Sequence, residues 1–354
     1  AFTRLSAWQE RLLPSQQGFG TERLSVALPG EAAAGASPGS VSWLKRNRGA
    51  VMIAVPAYVC LVLVLITTQV VLGNTLFSFN YYNTLLVLTS FLAILALGQG
   101  AVILTGGLDL SLPWTIALAG ILVSGMAAGQ DANLLYVVPL VLAVGVLIGF
   151  VNGMGIVLLG LSPIVMTLAM NGILQGASLL YSDGTPDGFA APMLRHFMTS
   201  KVWGVTPVVI FFVAFAVVAA LLLSRTPFGR RVYAIGNSTR AAILSGVPVN
   251  RTIVAVYMLS GFCAALVGGL LSGLSGRASL GMGDEYLLPS IAAVVVGGTL
   301  ITGGRGNYAG ILGGALLLTA LQILLAGTTF PTSVRSIIYG MVILGAVIAL
   351  RERR

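Results

Sequence analysis

Ten apolar runs, each close to the length at which a helix crosses a bilayer, constrain this chain more than any other feature. They lie at about 50–72, 82–105, 111–129, 134–158, 163–181, 206–224, 253–274, 287–302, 308–326 and 335–350. A helix of about 20 residues spans a hydrocarbon core about 30 Å thick. Apart from Arg335, at the opening position of the last run, none of them contains Asp, Glu, Lys, Arg or His. Only 8% of the chain is charged, against about 25% in a soluble domain. The expected fold is an all-α polytopic integral membrane protein of about ten transmembrane helices.

An even number of spans puts both termini on one side, and the basic residues test which. With the termini cytoplasmic, the inner flanks and loops hold Lys45, Arg46, Arg48, Arg225, Arg230, Arg231, Arg240, Arg251, Arg305, Arg351, Arg353 and Arg354. The outer ones hold Arg195, Lys201, Arg277 and Arg335. This excess is the positive-inside pattern, and it fits a multi-pass protein of a bacterial inner membrane. The net charge of +9 sits at the ends of apolar runs rather than in one stripe, which argues against nucleic acid as a partner. Residues 1–45 are polar and include the low-complexity run E-A-A-A-G-A-S-P-G-S, so they read as a cytosolic tail. Residues 46–354 form the membrane domain.

What the runs lack narrows the function. Ion-driven carriers usually keep ionisable groups at membrane depth, and an enzyme needs acid, base, metal ligand or nucleophile gathered in one place. His196 is the single histidine, so a histidine-rich metal or proton-relay site is excluded, and no metal site is expected. Cys60 and Cys263 lie in apolar runs, as small fillers or as a disulfide pair. The only lysines, Lys45 and Lys201, do not end a phosphate-binding G-x-x-x-x-G-K loop. The chain is therefore expected to be no enzyme and to bind no cofactor, so that uphill transport would draw on ATP used by a separate subunit.

One long polar interval is suited to meet such a subunit. Arg225 to Thr252 carries five arginines and no acid. Within it, Ser238 to Ser245 reads as a short helix, with Asn237 or Ser238 able to cap its start. Gly246 and Pro248 stop it. Its small residues Ala241, Ala242, Ser245 and Gly246 can press into a partner. The alternative is that the arginines only fix topology and bind lipid headgroups. The interval Ser182 to Gly204 is the largest external connection, a solvated link or a rim for an external partner. A short repeat, I-L-T-G-G at Ile103–Gly107 and L-I-T-G-G at Leu300–Gly304, is of the kind that two-half transporters carry.

The loop and its surroundings resemble a known family. R-T-P-F-G-R-R-V-Y-A-I-G-N-S-T-R-A-A-I-L-S-G-V (Arg225–Val247) is similar to the cytosolic loop of ribose-type sugar permeases of ABC importers. T-G-G-L-D-L-S (Thr105–Ser111), V-N-G (Val151–Gly153), L-S-P-I-V-M-T-L (Leu161–Leu168), I-A-A-V-V-V-G-G-T (Ile291–Thr299) and G-G-R-G (Gly303–Gly306) resemble further blocks in the family's order. The resemblance runs from about residue 85 to 350.

It implies a permease that pairs with a second copy or a close paralogue. Such a permease takes a monosaccharide such as ribose, xylose or galactose from a periplasmic or extracellular binding protein, and cytosolic ABC ATPases drive it. Gly236, Asn237, Ser238, Arg240, Ala241, Ala242, Ser245 and Gly246 then look like the coupling segment, with Arg305 a second cytosolic contact or a headgroup anchor. Asp109 is a helix cap or a polar contact on the path. Gly106, Gly107, Gly303 and Gly304 are unwound backbone facing the conduit or sites of close packing, and Gly297 and Gly298 are packing or gate. Asn152 bonds a neighbouring helix or the solute. Alternative functions are an ABC permease for branched-chain amino acids or nucleosides, and an ion-coupled secondary carrier.

Overall fold

The computed structural model describes residues 48–73 and 77–349. The expected tail at 1–45 lies outside them, as do Lys45, Arg46, Arg351, Arg353 and Arg354. The helices, in order, are α1 (Arg48–Leu72), α2 (Phe79–Leu104), α3 (Leu112–Ala127), α4 (Leu134–Leu158), α5 (Pro163–Tyr181), α6 (Pro192–Thr199), α7 (Pro207–Arg225), α8 (Pro227–Asn237), α9 (Thr239–Leu244), α10 (Val249–Ser275), α11 (Leu287–Val296), α12 (Tyr308–Ala326) and α13 (Thr332–Ala349). Among the described residues the extended structure is one isolated bridge, Val202 to Val205.

Every apolar run carries a helix, but not every helix is long enough to span. Seven are: those covering 55–72, 79–104, 131–158, 163–181, 207–225, 249–275 and 308–326. The run at 111–129 is helical only over Leu112–Ala127, and that at 287–302 only over Leu287–Val296. Apolarity alone does not reveal these stops, because both are set by backbone. Ala128 (φ +47°) and Gly129 (+72°) end α3, and Gly298 (+85°), Gly303 (+87°) and Gly304 (+80°) unwind the chain after α11, as Gly106 (+83°) does after α2. Left-handed backbone of this kind strains any residue with a Cβ.

α10 is the axis of the bundle, packed against α2, α3 and α4. It crosses α4 on a seam of glycines four residues apart. A Cβ on Gly145 would press on Gly261 and Ala265, one on Gly149 on the Tyr257 carbonyl, and one on Gly153 on Val254. Small residues let helix backbones approach where lipid offers no hydrophobic drive to association. α3 meets α10 in the same way through Gly120 and Gly268, and α11 meets α12 through Gly297, Gly310 and Gly314. Glycine at these positions is what the close approach of the helices requires.

The interval expected to be the largest external connection is mostly exposed but anchored to the bundle at several points. α6 lies across the end of the bundle with Met198 buried, and a Cβ on Gly273 would lie 2.8 Å from Leu194 and 3.1 Å from Met198. The Met193 amide donates to Asp131 (2.7 Å) and the Ala190 amide to the Gly276 carbonyl (2.9 Å). Cys263 is buried and Cys60 exposed, and both are free thiols, which removes the disulfide alternative.

Candidate functional site

The interval from Arg225 to Thr252 folds into two helices rather than one. α8 starts at Pro227, whose fixed φ suits the first helical position, and the Thr226 hydroxyl accepts the Gly229 amide (3.3 Å). The chain then bends at Ser238, whose hydroxyl caps α9 by accepting the Ala241 amide (3.2 Å). Gly246, at φ +76°, closes α9. The cap and the stop agree with the sequence reading; α8 was not anticipated from it.

Burial sorts the eight loop residues singled out from sequence. Asn237, Ser238, Arg240, Ala241, Ser245 and Gly246 are exposed. Ala242 is not available for an outside partner: it is 3% exposed and packs with Ile235 and Val249 of its own chain. The outward face of α9 instead presents Ile243, 59% exposed, and Leu244, 83% exposed. A six-residue helix thus carries two bare aliphatic side chains beside exposed Arg240. The signal was the pair I-L beside A-A, of which only the alanines had been weighed.

Gly236 faces the bundle. A Cβ there would fall onto the Leu104 carbonyl oxygen and the Gly304 amide nitrogen. These two groups are themselves bonded: the Gly304 amide donates to the Leu104 carbonyl (3.0 Å), satisfying one of the orphan carbonyls at the end of α2. A Cβ on Gly303 would lie 3.1 Å from the Gly106 amide, and one on Gly304 would lie 3.0 Å from the Asn237 amide. The two halves of the T-G-G repeat therefore touch, with α8 as the third wall. The Tyr233 hydroxyl, in α8, donates to the Gly306 carbonyl (2.9 Å). Burial pushes that phenol above its ordinary pKa, so it remains a neutral donor. Arg305 is exposed at the same junction, and its carbonyl accepts the Leu300 amide (3.1 Å).

In the turn from Thr105 to Ser111, Gly107, Asp109 and Ser111 are buried, and hydrogen bonds tie the turn to three helices. Asp109 is 1% exposed. One carboxylate oxygen accepts both the amide (3.0 Å) and the hydroxyl (2.6 Å) of Ser111, and the other accepts the Ser260 hydroxyl of α10 (2.6 Å). The Asn152 amide of α4 donates to the Ser111 hydroxyl (2.9 Å), and the Leu110 amide donates to Thr167 of α5 (3.0 Å). Asp109 thus closes a local turn two residues ahead and ties it to α10. It does not cap α3 directly: the N-cap position is Ser111, which makes no side-chain cap bond. A carboxylate at this depth needs such partners, because an unpaired one is costly in hydrocarbon. Ser260 was missed from sequence, where a single serine in an apolar run carries no pattern, and Ser111 was read only as part of the T-G-G-L-D-L-S block.

The remaining glycines divide cleanly. Gly106 has positive φ, while Gly107 backs onto the Tyr257 hydroxyl. Gly297 packs on Gly310 at ordinary φ, whereas Gly298 takes the left-handed turn. No group of three or more metal-ligating side chains occurs among the described residues.

Residues 81–347 match the profile of a family described as branched-chain amino acid transport system, permease component. The ribose import permease protein RbsC of Haemophilus influenzae is 35% identical over 292 residues, covering 81% of this chain and 90% of its own length. The protein of the same name from Bacillus subtilis is 36% identical, over 73% of this chain and 81% of its own. The autoinducer 2 import system permease protein LsrD of Salmonella paratyphi B is 33% identical, over 73% and 79%. No solved structure matches the chain significantly. With bundle, loop and matched region coinciding, the chain belongs to this family of transport-system permease components, as a multi-pass protein of the bacterial inner membrane.

Proposed function

We propose that the chain is the translocation subunit of an ABC-type importer that carries a monosaccharide into the cytoplasm. A cytosolic ATPase engages the tip Thr239–Gly246, an external binding protein delivers the solute, and a second permease copy completes the path. The relatives named for ribose and autoinducer 2 import support the sugar-like substrate. The family's description keeps a branched-chain amino acid as the second reading.

One observation carries the coupling role. α9 presents a bare aliphatic tip, and Gly236, at the end of α8 just before the bend into α9, rests on the breaks after both α2 and α11. A push at Ile243 and Leu244 therefore reaches two unwound segments through backbone contact, with no side chain to absorb it. Packed elements of this kind shift as units between discrete arrangements. Arg240 and the neighbouring arginines set the orientation of docking more than its strength. The test is Gly236→Val in the assembled importer. Uptake should be lost while the ATPase subunit still binds and hydrolyses ATP; undiminished uptake would remove the coupling role.

A further inference from the structure

Apart from exposed Gly106, the path residues expected from sequence are packed in the bundle, and a cavity lies elsewhere. Its volume is about 190 Å³, and it sits between α2, α11 and α12, lined by Glu285, Tyr286, Thr319 and Gln322 with apolar neighbours such as Leu92 and Pro289. An apolar cavity of about 150 Å³ takes up one benzene ring, so this one has room for a single six-membered ring.

Its depth is set by the helices. Rising at about 1.5 Å per residue from the Gly304 junction, Thr319 stands about 16 Å and Gln322 about 21 Å along α12 from Tyr308. Leu92 stands about 18 Å back along α2 from Leu104. The chain reaches Glu285 by turning back into the bundle after α10: a Cβ on Gly120 would lie 2.7 Å from the Met282 sulfur, and one on Gly283 would meet the Pro113 carbonyl. Glu285 and Gln322 line the cavity and are exposed. An ionisable side chain among apolar helices normally faces water or a partner, not lipid.

We propose that this cavity is a solute subsite on the outer half of the translocation path, selective for a neutral polyhydroxylated ring. The proposal rests on the importer reading above and adds the residues that would read the solute. The Glu285 carboxylate accepts hydroxyl hydrogens and repels anions. The Gln322 carboxamide both donates and accepts, and the Thr319 hydroxyl lies at the buried wall. The Tyr286 ring, held edge-on against Phe91 (6.4 Å between centroids), offers a flat apolar face to the C–H side of a sugar. The lining holds one acid and no base. The nearest cation, Arg335, reaches the rim, where its guanidinium donates to the Ala326 carbonyl (3.4 Å). Within the lining itself a free carboxylate finds no cation to pair with.

The test is uptake of labelled monosaccharides and of L-leucine by cells expressing the whole importer, beside thiol labelling. Gln322→Leu and Glu285→Gln should each raise KM for the transported sugar by about tenfold, as expected for one lost solute hydrogen bond, with the membrane level of the chain unchanged. Gln322→Cys in a Cys60→Ser background should react with a membrane-impermeant methanethiosulfonate and be protected by that sugar but not by leucine. Unchanged KM in both variants, or an unreactive Cys, overturns the subsite. A wild-type importer that moves leucine and no sugar overturns the substrate class, while thiol labelling still decides whether the cavity is wet.

Discussion

The Gly304 amide donates to the Leu104 carbonyl across 3.0 Å, joining the end of α2 to the unwound segment after α11. Gly236 of the loop lies directly over that bond. The three segments meet without an intervening side chain. A displacement of α8 is therefore a displacement of both breaks, which is the basis of the proposed coupling role.

Gly236→Ala should separate these elements. The added methyl meets backbone on two sides, which cannot swing away as a side chain would. Coupled uptake is expected to fall more than tenfold with normal insertion. Gly172→Ala, where nothing lies within 4 Å, should leave uptake unchanged. Equal effects at the two positions would show that glycine content, not the junction, is being measured.

Asp109→Leu should be among the most damaging single changes. It leaves the Ser111 amide and hydroxyl and the Ser260 hydroxyl without their acceptor, each costing about 1–3 kcal/mol when buried. Asp109→Asn keeps one acceptor and lets Ser260 turn its hydroxyl to accept, so most of the loss should be recovered. Thermal unfolding in detergent reads both, and the expected order is wild type, Asn, then Leu well below.

The α4–α10 seam sets stability rather than coupling. Gly149→Ala places a methyl on the Tyr257 carbonyl and should cost about 1–3 kcal/mol through backbone displacement. The expected signature is a lowered Tm, with the ratio of transport to ATP hydrolysis retained in the protein that survives. A normal Tm with lost coupling would place the seam in the mechanism instead.

The tip of α9 should behave in the opposite way. Ile243→Ser and Leu244→Ser remove exposed aliphatic surface, so the Tm should not move. Binding of the ATPase subunit should weaken by about tenfold for the pair, as removal of central apolar contacts does. Ala242→Ser, buried beside Ile235, should instead be read in the Tm.

Much of this was legible in the chain itself. Apolar runs placed a helix at every expected span, and Thr105–Ser111 and Leu300–Gly304 marked the two breaks before any contact was known. Ser238 and Gly246 bounded α9 through local chemistry that does not depend on the rest of the fold. What stayed hidden was tertiary. That Ala242 turns inward while Leu244 turns outward depends on where α8 lies, and a six-residue helix has too few turns to show a face. Ser260 is unremarkable until Asp109 arrives from 151 positions away. Glu285 read as part of an external connection because the apolar run starts only at Leu287; nothing local says that the chain has already turned back into the bundle.

The most direct measurement is solute accumulation in proteoliposomes holding this chain, with and without its ATPase subunit, in the presence of ATP and the external binding protein. Accumulation only when the ATPase is present, abolished by Gly236→Val, is the expected result. Accumulation by the permease alone, or flux that follows an ion gradient without ATP, would contradict the account.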